Sequence, residues 1–166
     1  MSTPSQRATG PAGQPKKKAQ AIDLSTARQM LPLVASIVRD IVDTRKQLTH
    51  LSGEQDTLDR ERRSLSWESR RRRYSLTDEL NTVNTAYTSA VGELSQLGVS
   101  LVDADDGAVD FPTRINGRPA AFSWRMGEEG VRYWRYDGEE QRRPIPTDWQ
   151  QGTALRGRGN SDSGDK

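Results

Sequence analysis

Between Leu76 and Gly98 the chain reads LTDELNTVNTAYTSAVGELSQLG, with Leu76, Leu80, Val83, Tyr87, Ala90, Leu94 and Leu97 at alternating spacings of four and three. At 3.6 residues per turn these side chains share one narrow helical face, a seam that needs a partner helix. Ser75 and Asp78 predict a capping box at its start, the hydroxyl accepting an orphan N–H and the carboxylate reaching back. Gly98 suits the left-handed residue that closes a helix, with Val99 folding back onto Leu94.

The partner lies upstream. A first helix is expected to open at Asp23 or Ser25, both good N-caps. Its early face is broad: Met30, Leu31, Val34, Ile37, Val38, Ile41 and Val42. From Ile37 it narrows to heptad spacing through Ile41, Thr44, Leu48, Leu51, Gln55, Leu58, Arg62 and Leu65. Pro32 should kink this helix or split it at Leu31. Gly53 costs about 1 kcal/mol relative to Ala, so the helix either frays there or continues, weakened, to Leu65. A turn around residue 69 folds the two helices into an antiparallel, coiled-coil-like hairpin. It would set Leu97 near Val42 and leave residues 25–41 projecting with their broad face uncovered.

From Val99 the apolar period changes to two, the signature of strands. Val109 and Phe111 precede Pro112, which should close that strand. Asn116-Gly117 is a strong type I′ hairpin signal. Ala120, Phe122 and Trp124 form one alternating face, and Val131, Tyr133 and Arg135 begin another. An antiparallel sheet of three or four strands is expected, marginal alone and stabilised by packing on the exposed flank of the first helix. The expected fold is therefore α+β. It comprises a disordered basic arm over residues 1–21, a helical hairpin over 22–98, a small sheet over 99–146 forming one domain with the hairpin, and a disordered tail over 147–166.

Composition narrows the function classes. Only 32% of the 166 residues are hydrophobic and 29% are charged, too polar for one core spanning the whole chain. A net charge of +2 is too small for polyanion binding by bulk electrostatics, so the placement of charge matters more than its sum. The absence of cysteine excludes disulfides, thiolate chemistry and Cys-based zinc sites, and fits a reducing cytoplasm. No run approaches the length of a membrane span, so a cytoplasmic protein with no membrane contact is expected.

Two regions concentrate basic charge. The arm carries Arg7, Lys16, Lys17 and Lys18 without any acid. It reads either as a solubilising tail or as a contact for a polyanion. The segment Arg60–Tyr74 holds seven arginines against two glutamates, interrupted by Trp67. Arg70, Arg71, Arg72 and Arg73 are candidate nucleic-acid contacts, with Trp67 and Tyr74 stacking on bases. The competing account, a solvated turn whose arginines pair with Asp56, Asp59, Glu61 and Glu68, is favoured because acids flank the run on both sides.

The pieces LSTARQMLPLV, ELSQLGVSLVD, GAVDFPTRINGRPAAFSWRMGEEGVRYW and GEEQRRPI occur in that order between Leu24 and Ile145. In this pattern the chain resembles the bacterial domain-of-unknown-function family 2203, to which no function is assigned. The resemblance implies a helical N-terminal half and a small β-rich C-terminal half. It also implies a cysteine at the position of Ser123 and a histidine at that of Arg135. Any chemistry those two residues perform would be missing here.

Conventional catalytic signatures are scarce. His50 is the only histidine and lies on a polar stretch, so a Ser-His-Asp triad or a His-based metal site would have to use it. The DADDGAVD segment lacks the EF-hand ligand order and its bidentate glutamate. No Walker loop or GxGxxG is present. No catalytic residue, metal or cofactor is assigned on these grounds. The most site-like group is Trp124, Arg125, Glu128, Trp134, Arg142 and Arg143, which would suit an anionic ligand or an acidic partner segment. Its plainer reading is a tryptophan-centred mini-core with surface ion pairs. The expected function is a non-enzymatic interaction module forming a homo-oligomer through the hairpin, because two helices alone rarely bury a seam. Nucleic-acid association through the arm and arginine tip is the alternative, and a small anionic ligand near Trp124 and Arg125 a further one.

Overall fold

The computed structural model describes residues 20–151, so the basic arm through Lys18 and the tail beyond residue 151 lie outside the described residues. Two long helices are followed by a five-stranded antiparallel sheet, an α+β fold as expected.

Helix α1 (Leu24–Arg60) starts where its cap demands: Asp23 Oδ1 accepts from the Thr26 N–H at 2.7 Å. Those local N–H bonds hold the Asp23 carboxyl below the usual carboxylate range. The helix is not split at Leu31. It runs through Pro32, whose own side chain is exposed, because Ala27, Val34, Ile37 and Val38 bury on both sides of it. It also passes Gly53 and ends at Arg60, with Leu51 and Leu58 half-buried on the seam beside it.

The second helix departs from the predicted start. Helix α2 (Trp67–Gln96) is capped by Ser66, whose Oγ accepts from Ser69 N at 3.2 Å. Ser75 forms no capping box; its hydroxyl donates to the Arg72 carbonyl within the helix. Arginine is a good helix former, and Arg72 and Arg73 gain acidic partners on α1 by entering the helix. The connection is thus Glu61–Ser66 rather than a turn around residue 69. Moving the turn shifts the register of the hairpin. Leu97 lies by Thr26 and Met30 instead of Val42, and little of α1 projects. The far end closes as predicted. Gly98 adopts φ 78° while Val99 N bonds to Leu94 O and Gly98 N to Ser95 O, both bonds of a Schellman motif.

Strands β1 (Ser100–Asp103), β2 (Ala108–Ile115), β3 (Arg118–Arg125), β4 (Tyr133–Tyr136) and β5 (Arg143–Pro144) pair in chain order. Asn116 and Gly117, at φ 53° and 75°, make the β2–β3 turn. Pro112 does not end β2. Its carbonyl faces outward and accepts from Ile22 N at 2.7 Å. Its missing N–H points the same way, past the end of β1, so no β2–β3 ladder bond is lost.

One face of the sheet carries Val109, Phe111, Phe122 and Trp124, which join Val34, Ile37, Val38, Ile41, Val42 and Leu94 in a single core. At Gly107 the β1–β2 turn approaches α1 so closely that a Cβ would lie 2.9 Å from Val38 Cγ1 and from Met126 Cβ. The segment expected to be tail from residue 147 turns instead into a short 3-10 helix, Thr147–Gln151. Trp149 packs its ring 5.5 Å from that of Trp134. Among the described residues no helix is long and apolar enough to cross a membrane.

Candidate functional site

Three places hold candidate residues: the outer part of the sheet, the arginine tip and the flank of the hairpin. At the sheet, Trp124 is nearly fully buried in the helix-facing core and donates its indole N–H to the Glu128 carbonyl at 3.1 Å. The Met126–Gly127 turn returns Glu128 to the end of β3, where its carboxylate accepts from Arg125 N at 2.9 Å and from both Arg142 Nη atoms at 2.8 Å. Burial pushes the Glu128 carboxyl up, but the Arg142 guanidinium and the Arg125 N–H outweigh it and hold the group below the usual glutamate range. Arg142 also donates to the Ser123 carbonyl at 3.2 Å and lies over the Tyr133 ring.

The six sequence candidates therefore do not converge on one site. Trp134 lies across from Phe122 on the helix side of the sheet, edge-on to Tyr136 and beside Trp149. Arg143 covers Trp134 and approaches Glu139 Oε2 at 2.7 Å. The Arg142–Glu128 pair sits with Ser123 and Tyr133 on the opposite face. Each arginine of the pair at 142–143 already has a carboxylate, and only Arg125 of the six remains exposed and uncommitted. Such a cluster latches the turn to the sheet edge; it has little charge left for a ligand.

The sequence reading missed Asp110. It is buried on the outer face opposite Ser123, with Arg135 Nη2 on its Oδ2 at 2.6 Å and its Oδ1 without a partner among the described residues. Arg135 also donates to the Glu139 carbonyl at 2.7 Å. Register puts Ser123 and Arg135 on this same face. The VDFP block contained the signal: an acid inside an otherwise apolar strand needs a partner.

At the tip the four consecutive arginines divide by helical position. Arg72 reaches Glu54 at 2.7 Å and Glu79 at 2.6 Å, and Arg73 reaches Asp59 at 2.6 Å. The bond to Arg72 holds the Glu54 carboxyl below its ordinary range. Arg70 and Arg71 point outward, exposed and without an ion pair among the described residues. Of the acids expected to pair with this run only Asp59 does so among the described residues; Arg72 uses Glu54 and Glu79 instead, and all four arginines lie in α2 rather than in a turn.

On the hairpin flank, α1 contributes Lys46, Gln47, His50 and Leu51 and α2 contributes Asp78, Glu79, Thr82 and Val83 to a groove of about 610 Å³. Its floor is the half-buried pair Leu51 and Val83, one wall is basic and the other acidic. The acids Asp103 and Asp105 are used locally. Asp103 Oδ1 accepts from the Asp105 and Asp106 N–H groups, which lower its pKa, and Asp105 pairs with Arg45 at 3.1 Å.

Comparison with curated proteins and with solved structures gave no match. Residues 21–145, which take in the hairpin, the tip and all five strands, match the family model described as "Uncharacterized conserved protein (DUF2203)", and the chain belongs to that family.

Proposed function

We propose that this protein is a non-enzymatic assembly module of the cytoplasm that pairs with a second copy of itself through the helical hairpin. The observation carrying this reading is the groove between α1 and α2. Leu48, Leu51, Leu58, Leu80 and Val83 stay half-buried in the isolated hairpin, so apolar seam surface is left uncovered. The charges favour a second copy as its cover. A twofold axis along the hairpin sets each α1 against the other copy's α2, bringing Lys46 over Asp78 twice by symmetry. A single self-complementary face meets the requirement of an isologous dimer, and the product is a four-helix bundle. A cysteine-free chain has no disulfide to make outside a reducing compartment.

Light scattering and sedimentation at micromolar concentration should find a dimer. Lys46→Asp or Asp78→Lys alone should weaken it by tenfold or more, and combining them should restore it, because the symmetric contact is rebuilt with its charges exchanged. A monomer over the whole micromolar range, or a dimer indifferent to both substitutions, would refute the reading.

A further inference from the structure

The outward face of the first two turns of α2 is unusual in what it exposes. Trp67 and Tyr74 are 72% and 73% exposed, the two most exposed large hydrophobic side chains among the described residues. Seven residues apart, they stand one above the other about 10 Å apart along the axis, at 1.5 Å rise per residue. Arg70 and Arg71, three and four residues after Trp67, flank the line between them. Leu76 points the opposite way into the hairpin and is fully buried. Arg62 and Arg63 in the adjoining turn are also exposed and without an ion pair among the described residues. Of the neighbouring acids, Glu54, Asp59 and Glu79 are taken by Arg72 and Arg73, while Glu61 and Glu68 are exposed beside the four arginines and leave them in excess by two.

From this arrangement we infer that the tip of the hairpin is a contact surface for single-stranded nucleic acid. The occupant follows from the alternation of side chains. Two flat aromatic rings offer stacking platforms for bases of any sequence, and the four unpaired guanidiniums supply phosphate contacts beside them. A double helix keeps its bases stacked on each other and would leave both rings unused. A lipid surface requires a continuous apolar helix face with the charges opposite. Here the charges lie between the aromatics, and no aliphatic side chain joins them on this face. This surface is separate from the groove lined by Lys46, Leu51 and Val83, and its role does not depend on self-association.

The test uses the full chain and a fluorescently labelled oligothymidine followed by anisotropy. Binding should weaken steeply with salt, each lost phosphate contact reducing the log–log slope by roughly 0.7. Trp67→Ala combined with Tyr74→Ala should weaken binding at least tenfold, while Trp67→Phe with Tyr74→Phe retains most of it. Arg70→Ala with Arg71→Ala should reduce both affinity and salt slope, and the lysine pair should keep the slope. All these positions are exposed, so unchanged thermal melting will show that the fold is intact. Three results would overturn the inference: no binding at low salt, binding indifferent to all four substitutions, or binding to phosphatidylserine-containing vesicles in place of the oligonucleotide.

Discussion

The two ends of the hairpin use the same kinds of residue and reach different degrees of burial. Near the sheet, Val34, Val38, Ile41 and Val42 of α1 are at most 1% exposed. Toward the tip, Leu48, Leu51 and Leu58 of the same helix remain half-buried, as do Leu80 and Val83 opposite them. Leucine is no poorer a core residue than valine. What differs is the number of layers: β2 and β3 add a third surface over the proximal half, and the distal half has only its neighbour helix. Between two cylinders a side chain on the contact line is buried, as Leu76 is, but one off that line keeps an open side that a further element must close. The proximal end is a finished core, and the distal end leaves part of its apolar seam uncovered.

Paired truncations provide the strongest test of this contrast. Leu94→Ala, at a fully buried position, should cost about 3–5 kcal/mol of unfolding free energy in urea denaturation, whereas Val83→Ala should cost about 1 kcal/mol at concentrations where the chain is monomeric. Equal losses would mean that the distal seam is covered as fully as the core. Gly107→Ala attacks the third layer itself. Its φ of 64° and the 2.9 Å approach to Val38 should make even one methyl cost about 2–4 kcal/mol, read from the same curves.

Glu128→Gln probes the latch holding the sheet edge and should cost about 1–2 kcal/mol near neutral pH by leaving Arg142 without its carboxylate. The sign of its pH dependence is fixed. The folded-state value is lowered, so the stabilisation is present above the ordinary glutamate range and is lost as pH falls through the folded value. Wild type should therefore lose stability more steeply on acidification than the variant, a difference readable from thermal melts across acidic pH. The smallest effect belongs to the distal half: Gly53→Ala meets nothing within 4 Å and should raise stability by about 0.5–1 kcal/mol. A loss there would show that the backbone at this position needs the freedom of glycine.

Much of the fold was legible because it rests on local periodicity. The seam from Leu76 to Leu97, the Gly98 closure, the Asn116-Gly117 turn and the alternating strand bearing Phe122 and Trp124 are all short-range patterns. The start of α2 was misplaced because Ser66 and Ser75 are both competent caps by composition. Only the acids on α1 decide between them, by drawing Arg72 and Arg73 into the helix. The candidate site suffered the same way. Trp124 and Trp134 share the helix-facing side of the sheet, as their alternation suggests, but register puts Arg142 and Arg143 on opposite sides of it.

By itself the sequence determined the order of the main helices and strands and which of their faces are apolar, though not every boundary, since those properties follow from side-chain order along a few turns. Tertiary structure alone decided which charges are consumed and which stay free. Arg72 and Arg73 find Glu54 and Asp59 across the hairpin, Arg142 finds Glu128 across the sheet edge, and Arg70 and Arg71 find no acid among the described residues. Charge pairing depends on distances between residues remote in the chain, and a sequence carries those distances only through the fold it adopts.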